Sequence, residues 1–238
     1  HLMYPILFEI GPLKIYSYGF MLVIAFYTCF YLLNHDMKRL GYDNKFAPDI
    51  VFWAAVGGIL GSKLYYLLEN LDQVIQDPFG MIFSGSGLVF LGGLMGGTFG
   101  VTMVLRKNNL PWLVFADIVA PLLILGYGIG RIGCFLVGDD YGISSDLPWA
   151  MTFPNGLPPT LSAVHPTQIY EMLAYFGIFA FLRYRKNHKT FNGELLYEYL
   201  FLGGFARFMI EILRTNTKYL FELSGAQYLS IIMMLIGT

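Results

Sequence analysis

Charge is what this chain has least of. Asp, Glu, Lys and Arg make up 13% of its 238 residues, about half of the roughly 25% found in ordinary soluble domains. Hydrophobic residues make up 56% and the mean hydropathy is +0.57. That balance places the chain among membrane proteins before any motif is read. A basic excess is also lacking: the net charge is −1, which excludes the cationic footprint of a nucleic-acid partner. Two cysteines, Cys29 and Cys134, are too few for a disulfide framework and have no metal-ligand spacing. Neither a nucleotide-binding nor a metal-binding motif occurs, so no cofactor and no metal is expected. Internal repeats and low-complexity stretches are missing too, and one integral domain over 1–238 is the simplest organisation.

What is present is a series of apolar runs. Crossing a bilayer takes about 20 mostly apolar residues, and seven stretches come near that: 16–33, 49–68, 88–105, 112–130, 167–182, 194–213 and 226–238. The first is expected to be a retained span and not a cleavable leader. The loops alternate in charge. "NHDMKRLGYDNK" is basic, "ENLDQVIQD" has acids but no Lys or Arg, "RK" follows the third run and "RYRKNHK" the fifth, whereas 137–162 holds three aspartates and no Lys or Arg. Lys and Arg mark the cytoplasmic side. The expected fold is therefore an all-α polytopic membrane protein of about seven helices, N-terminus outward and C-terminus cytoplasmic. Segment 137–165, broken by Pro148, Pro154, Pro158 and Pro159, is expected to form an irregular cap on the outer face.

Glycines recur at intervals of four in "GGILG" (57–61) and "GGLMGGTFG" (92–100). Such spacing brings helices into close contact. It also makes thin helices, between which a lipid headgroup would find room.

Ionisable residues inside apolar runs are costly and point to function. Arg131 lies among glycines at the end of the fourth run, Glu171 one turn into the fifth, and Arg207 and Glu211 inside the sixth. The last two are four residues apart and share a helix face; they could simply neutralise one another across two helices. Arginines near the outer end of a bundle alternatively suit an anion, because the guanidinium fork matches phosphate geometry. In a membrane, phosphate belongs most often to a phospholipid. "HPTQIYE" opens the fifth run and groups His165, Gln168, Tyr170 and Glu171 on adjacent helix faces. A histidine at a helix entry is more often an anchor than a base, but the polar groups His165 shares this motif with keep the base reading open. Tyr16 and Tyr18 in "YSYG" sit where interfacial tyrosines belong, though Tyr18 is a candidate for more.

These segments together resemble the prolipoprotein diacylglyceryl transferase family. "IGPLKIYSYGFM" is similar to its first-span opening and "GRIGCFLVGDDYG" to its signature G-R-[IL]-G-N-F-x-N-G-E-x-x-G. "HPTQIYE" is similar to its H-P-[ST]-Q-x-Y-E, and "FARFMIEILR" to its F-R-x-x-x-E-x-x-R. The resemblance implies transfer of a diacylglyceryl group from phosphatidylglycerol to a lipobox cysteine thiol of a preprolipoprotein, with release of glycerol phosphate, in the bacterial inner membrane. It also implies a catalytic set: Arg131 and Arg207 on the phosphate, with Tyr18, Asp139, Glu211 and His165. Gly142, Cys134, Gln168, Tyr170, Glu171 and Arg214 would line the substrate site.

The chain departs from the pattern at four positions. Cys134 and Val137 replace the two signature asparagines, Asp139 replaces the glutamate, and Leu91 in "VFLGG" stands where the family carries a histidine proposed as the base. A leucine accepts no proton. Either the base comes from elsewhere, from His165, Asp139 or the substrate's surroundings, or the chain is a divergent relative. Such a relative would use the same phospholipid site with another acceptor, or would bind lipid without chemistry. Cys134 itself is either a small packing residue or a thiol whose ionisation Arg131 favours.

Overall fold

A computed structural model describes residues 4–11, 13–83 and 90–238. In chain order, β1 (Ile6–Ile10) and β2 (Leu13–Tyr16) pair antiparallel and lead into α1 (Ser17–Arg39). Next come α2 (Ala47–Glu69), the short α3 (Leu71–Gln76) and α4 (Pro78–Phe83), α5 (Phe90–Lys107) and α6 (Trp112–Val137). A second antiparallel pair, β3 (Met151–Phe153) and β4 (Thr160–Val164), precedes α7 (Thr167–Arg185), α8 (Glu194–Glu211) and α9 (Gly225–Gly237). Each expected apolar stretch coincides with a helix, although residues 88 and 89, which begin the third, lie outside the described ones. Among the described residues, three helices are long and apolar enough to cross a membrane: α1, α2 with the turn before it, and α6.

Two expectations need correction. The fourth apolar helix does not stop near 130 but runs to Val137, so Arg131 lies within it, about two turns from its end. It stops there because Gly138 takes the left-handed conformation (φ +79°) and its N–H bonds the Cys134 carbonyl at 2.8 Å, a glycine-terminated helix end. The stretch after it is not wholly irregular. Met151 pairs with Val164 and Phe153 with Thr160, and the Phe153 ring, 2% exposed, stacks on Tyr141 with centroids 5.3 Å apart. The four prolines lie outside these strands, and the buried aromatic anchors the pair.

The chain divides into two compact units, one made of the N-terminal residues to Leu32 with Ala116–Thr238, the other of Leu33–Phe115. In the second, α2 packs on α5 through the glycines. A Cβ on Gly57 would lie 2.3 Å from the Gly96 carbonyl oxygen, one on Gly61 2.2 Å from that of Gly92, and one on Gly96 2.0 Å from that of Gly57. Each glycine thus faces the neighbouring helix's backbone, which leaves no room for a headgroup at those positions. Gly96→Val should force the helices apart and cost about 1–3 kcal/mol, read as a lower thermal midpoint in detergent. Gly58→Ala, whose Cβ would meet the nearest atom at an ordinary 3.7 Å, should leave the midpoint unchanged.

In the first unit, Ala120 and Ile124 of α6, Tyr175 and Leu182 of α7, and Leu195 and Tyr199 of α8 form a buried cluster. Asp117 of α6 anchors the entry to α8. Its carboxylate accepts the backbone N–H of Gly193 at 2.8 Å and of Leu196 at 3.2 Å, and the Lys189 ammonium at 2.7 Å. Those N–H groups have no partner inside the helix, so the contact from α6 fixes where α8 begins. It thereby helps set the depth of Arg207 and Glu211 farther along the same helix. At the other end of the chain, Ser224 and Gln227 form a reciprocal capping box that starts α9.

Candidate active site

The charges buried in the first unit converge. Glu171, 1% exposed, sits on the second turn of α7 and receives two arginines from other helices: Arg131 Nε of α6 pairs with its Oε2 and Arg207 Nη1 of α8 with its Oε1. Arg214, just beyond α8, brings Nη1 to 3.6 Å from Oε1. Arg207 also reaches Glu211 Oε2 one turn along its helix at 3.2 Å, and Asn216 donates to Glu211 Oε1 at 2.5 Å. Asp140 completes the cluster. Its Oδ2 lies 2.7 Å from Arg131 Nη1 and its Oδ1 2.5 Å from Arg214 Nη2. Three guanidinium groups therefore meet three carboxylates: Arg131 and Arg207 are each shared between two of them, and Arg214 reaches all three.

Local backbone explains how Asp140 arrives. After Gly138 the chain turns again at Asp140 (φ +60°), a left-handed conformation that Asp tolerates better than most residues. Two side chains from the first turn of α7 clamp the turn: Thr167 Oγ1 donates to the Asp140 carbonyl at 2.7 Å, and Gln168 Nε2 to the Asp139 carbonyl at 2.5 Å. Gly142 then passes between two other segments of the chain. Its N–H bonds the His165 carbonyl at 2.8 Å, and a Cβ there would lie 2.4 Å from the Leu213 carbonyl oxygen. This close approach brings Arg214 beside residues more than seventy positions earlier.

The structure thus joins Arg131, Arg207, Glu171, Glu211 and Arg214, five of the residues singled out from sequence. Cys134 stands beside them, 8% exposed, with Sγ 3.6 Å from Arg131 Nη1. Tyr18, 41% exposed, packs its ring where a Cβ on Gly133 would approach to 3.1 Å, alongside the helix that carries Arg131. Gln168 and Gly142 are present as parts of the framework: the first spends its amide on a backbone carbonyl, the second admits the close backbone. His165 and Tyr170 form a pair of their own. The Trp149 indole N–H donates to the Tyr170 hydroxyl at 2.7 Å, and that hydroxyl lies 3.1 Å from His165 Nδ1. Indole is a donor only, so Tyr170 accepts from Trp149 and has its own proton free for His165. Leu91 lies on α5, in the other unit.

Sequence reading missed Asp140, placed with the cap, and Asn216. The two neighbouring aspartates shift in opposite directions. Burial pushes the Asp139 carboxyl above its usual range, and the negative Asp140 adds to the effect. Burial acts on Asp140 in the same direction, but Arg214 and Arg131 outweigh it and hold that carboxyl below its usual range. Asp139 Oδ1 is buried and accepts no hydrogen bond. Ligand atoms of Cys134, Asp139 and Asp140 lie within 4.8 Å of one another, a spacing open to a metal ion, but the Arg131 guanidinium already contacts two of the three.

A sequence model described as prolipoprotein diacylglyceryl transferase matches residues 5–238. The chain is 33% identical over 237 residues to a protein of Clostridium tetani named phosphatidylglycerol–prolipoprotein diacylglyceryl transferase, covering 99% of this chain and 95% of that one. A Clostridium perfringens protein named phosphatidylglycerol–prolipoprotein diacylglyceryl transferase 2 is 33% identical over 236 residues, 98% and 92% of the two chains. One from Pseudomonas paraeruginosa, with the first name, is 37% identical over 219 residues, 88% and 80%.

Proposed function

The chain belongs to the prolipoprotein diacylglyceryl transferase family, and from that premise we propose that it moves the diacylglyceryl group of phosphatidylglycerol onto a cysteine thiol of a prolipoprotein, with Arg131 and Arg207 on the lipid phosphate. The observation that carries this reading is the arginine cluster around Glu171. Two guanidinium groups from separate helices are fixed a short reach apart in a membrane-type fold, which suits a phosphate that gains charge as it departs. The acceptor sulfur attacks the glycerol carbon, the carbon–oxygen bond to phosphate breaks, and glycerol phosphate leaves with the electron pair. Fixed cations aimed at that oxygen lower the barrier.

The thiol must lose its proton to become a good nucleophile. Asp139 is our candidate base. Burial makes it more basic than an ordinary carboxylate, and one of its oxygens accepts no hydrogen bond within the protein. A base works only when deprotonated, so the rate should fall toward acid, beginning at a higher pH than an unperturbed carboxyl would give. Asp139→Asn should remove that limb and cost about 10²-fold or more, while Asp139→Glu should retain activity. A rate–pH profile of the three proteins checks this. Tyr18 and Glu211 belong to the same set, Tyr18 beside Arg131 and Glu211 holding Arg207. His165, held by the Tyr170 hydroxyl, is our candidate for contact with the acceptor.

In the membrane the seven apolar helices would each cross. The N-terminus and the 137–165 segment would lie outside the inner membrane and the C-terminus in the cytoplasm, as the alternating loop charges support. Leu91 and Cys134 favour a second reading, in which the acceptor is a different thiol. Phosphatidylglycerol labelled in its headgroup separates the two. The first reading expects labelled glycerol phosphate in proportion to added lipobox peptide. Release that ignores the peptide supports the second, and no release at all contradicts both.

A further inference from the structure

The arginine cluster is balanced in charge, three guanidinium groups against three carboxylates. Each guanidinium already has carboxylate partners, so a phosphate arriving between Arg131 and Arg214 meets a carboxylate already there. The three carboxylates are not equally displaceable. The Glu171 side chain is 1% exposed and that of Glu211 0%, whereas that of Asp140 is 40% exposed. Glu171 and Glu211 are carried on α7 and α8, and the side chains of both are enclosed. Asp140 sits on a turn, with its carboxylate reaching the surface.

We propose that the Asp140 carboxylate occupies the phosphate subsite between Arg131 and Arg214 and gives it up when an anionic phosphate arrives. The inference rests on the reading above, that these arginines receive the phosphate of a lipid. It adds Arg214 to the phosphate site and makes Asp140 a resident stand-in for the substrate. One carboxylate oxygen on each of two guanidinium groups is the geometry in which a phosphate, with the same planar partners, substitutes most directly.

The turn is built for such an exchange. Its backbone is pinned at two successive carbonyls by Thr167 and Gln168, so displacement needs only rotation of a short side chain about its own bonds. The carboxyl is held ionised by the same two arginines, so it competes with the ligand as a full negative charge. With no ligand in the subsite, Asp140 adds a counter-charge to two arginines that share Glu171, in a place where uncompensated charge is costly. After the reaction it returns and helps expel the product. Affinity for phosphate is thereby weakened on purpose, and glycerol phosphate does not clog the site.

The test compares the full-length wild-type protein, Asp140→Asn and Arg207→Lys in nanodiscs. Three quantities are read: the KM for phosphatidylglycerol, the inhibition constant of glycerol phosphate, and the binding of inorganic phosphate by calorimetry. Asn keeps the size of Asp but removes the competing charge. Asp140→Asn is expected to lower the KM and to tighten glycerol phosphate and inorganic phosphate alike by about tenfold or more, with slower product release. Unchanged or weaker values for all three would overturn the proposal. So would tightening of inorganic phosphate alone, because the subsite would then serve a free anion and not the lipid. Arg207→Lys reports on the underlying reading. If it loses turnover while Asp140→Asn changes nothing, the stand-in role fails and the phosphate site stands. If Arg207→Lys leaves turnover and binding untouched, the phosphate site itself is wrong. Should Asp140→Asn fold poorly, Asp140→Ser carries the same expectations, since the Thr167 and Gln168 bonds go to backbone carbonyls and do not depend on the side chain.

Discussion

Arg131→Ala and Arg207→Ala are each expected to slow transfer from phosphatidylglycerol by about a hundredfold to a thousandfold, the usual loss when one fixed group that stabilises a departing charge is removed. The two should not be alike in detail. Arg131 contacts Asp140 at 2.7 Å and Cys134 Sγ at 3.6 Å besides Glu171, so its loss also leaves Asp140 to Arg214 alone and disturbs the end of α6. Arg207 touches Glu171 and Glu211 within the bundle, and its loss should fall on kcat with little change elsewhere. Lysine restores the charge without the two-pronged geometry, so Arg207→Lys should recover only part of the activity. Turnover of headgroup-labelled lipid, with thermal midpoints to confirm folding, gives the comparison. Full activity in either alanine variant would remove that arginine from the reaction.

Glu171→Ala is expected to be the most damaging change to stability. Three arginines lie against this carboxylate, which is 1% exposed. Removing it leaves positive charges facing one another with Glu211 and Asp140 alone to balance them. Breaking a buried pair from one side costs about 3–5 kcal/mol, and here more than one pair is broken. Glu171→Gln keeps the shape and one acceptor and should fall between the wild type and alanine. The measurement is the unfolding midpoint in detergent, taken at two salt concentrations. A buried network is poorly screened, so added salt should not rescue the alanine variant. An unchanged midpoint would mean that Glu171 is dispensable to the cluster.

Much of this site could be read from sequence, for a definite reason. Arg131, Glu171, Arg207 and Glu211 are charges set in apolar runs, where each costs energy unless it has a partner. The Arg207–Glu211 contact follows from helical spacing alone. Asp140 was not legible in the same way. An aspartate in a polar, proline-rich segment looks solvated, and its partner Arg214 lies seventy-four residues away. What joins them is the close backbone passage at Gly142, a tertiary event with no local pattern. The roles of Thr167 and Gln168 were hidden likewise, because both side chains donate to backbone carbonyls nearly thirty residues earlier. The apolar runs located the helices but not their ends. α6 extends beyond its expected boundary because the glycines near Arg131 remain helical and only Gly138 turns left-handed. The β3–β4 pair escaped notice because prolines on either side of Phe153 and Thr160 read as breaks, while the buried Phe153 ring that holds it was not recognisable as an anchor.

The recurring glycines show the same limit from the other side. Their spacing allowed either tight packing or a lipid slot, and the sequence gives no means to choose. The carbonyl oxygens of the opposing helix, within 2.4 Å of where several Cβ atoms would be, decide for packing in the α2–α5 unit.

The most direct test of the account is the mass of a lipobox peptide after incubation with the purified protein and phosphatidylglycerol. The account predicts a gain of one diacylglyceryl group on the cysteine sulfur, stable as a thioether, matched by equimolar glycerol phosphate and lost in Arg207→Ala. A peptide of unchanged mass beside an active, folded protein, or modification that survives the loss of both Arg131 and Arg207, would contradict it.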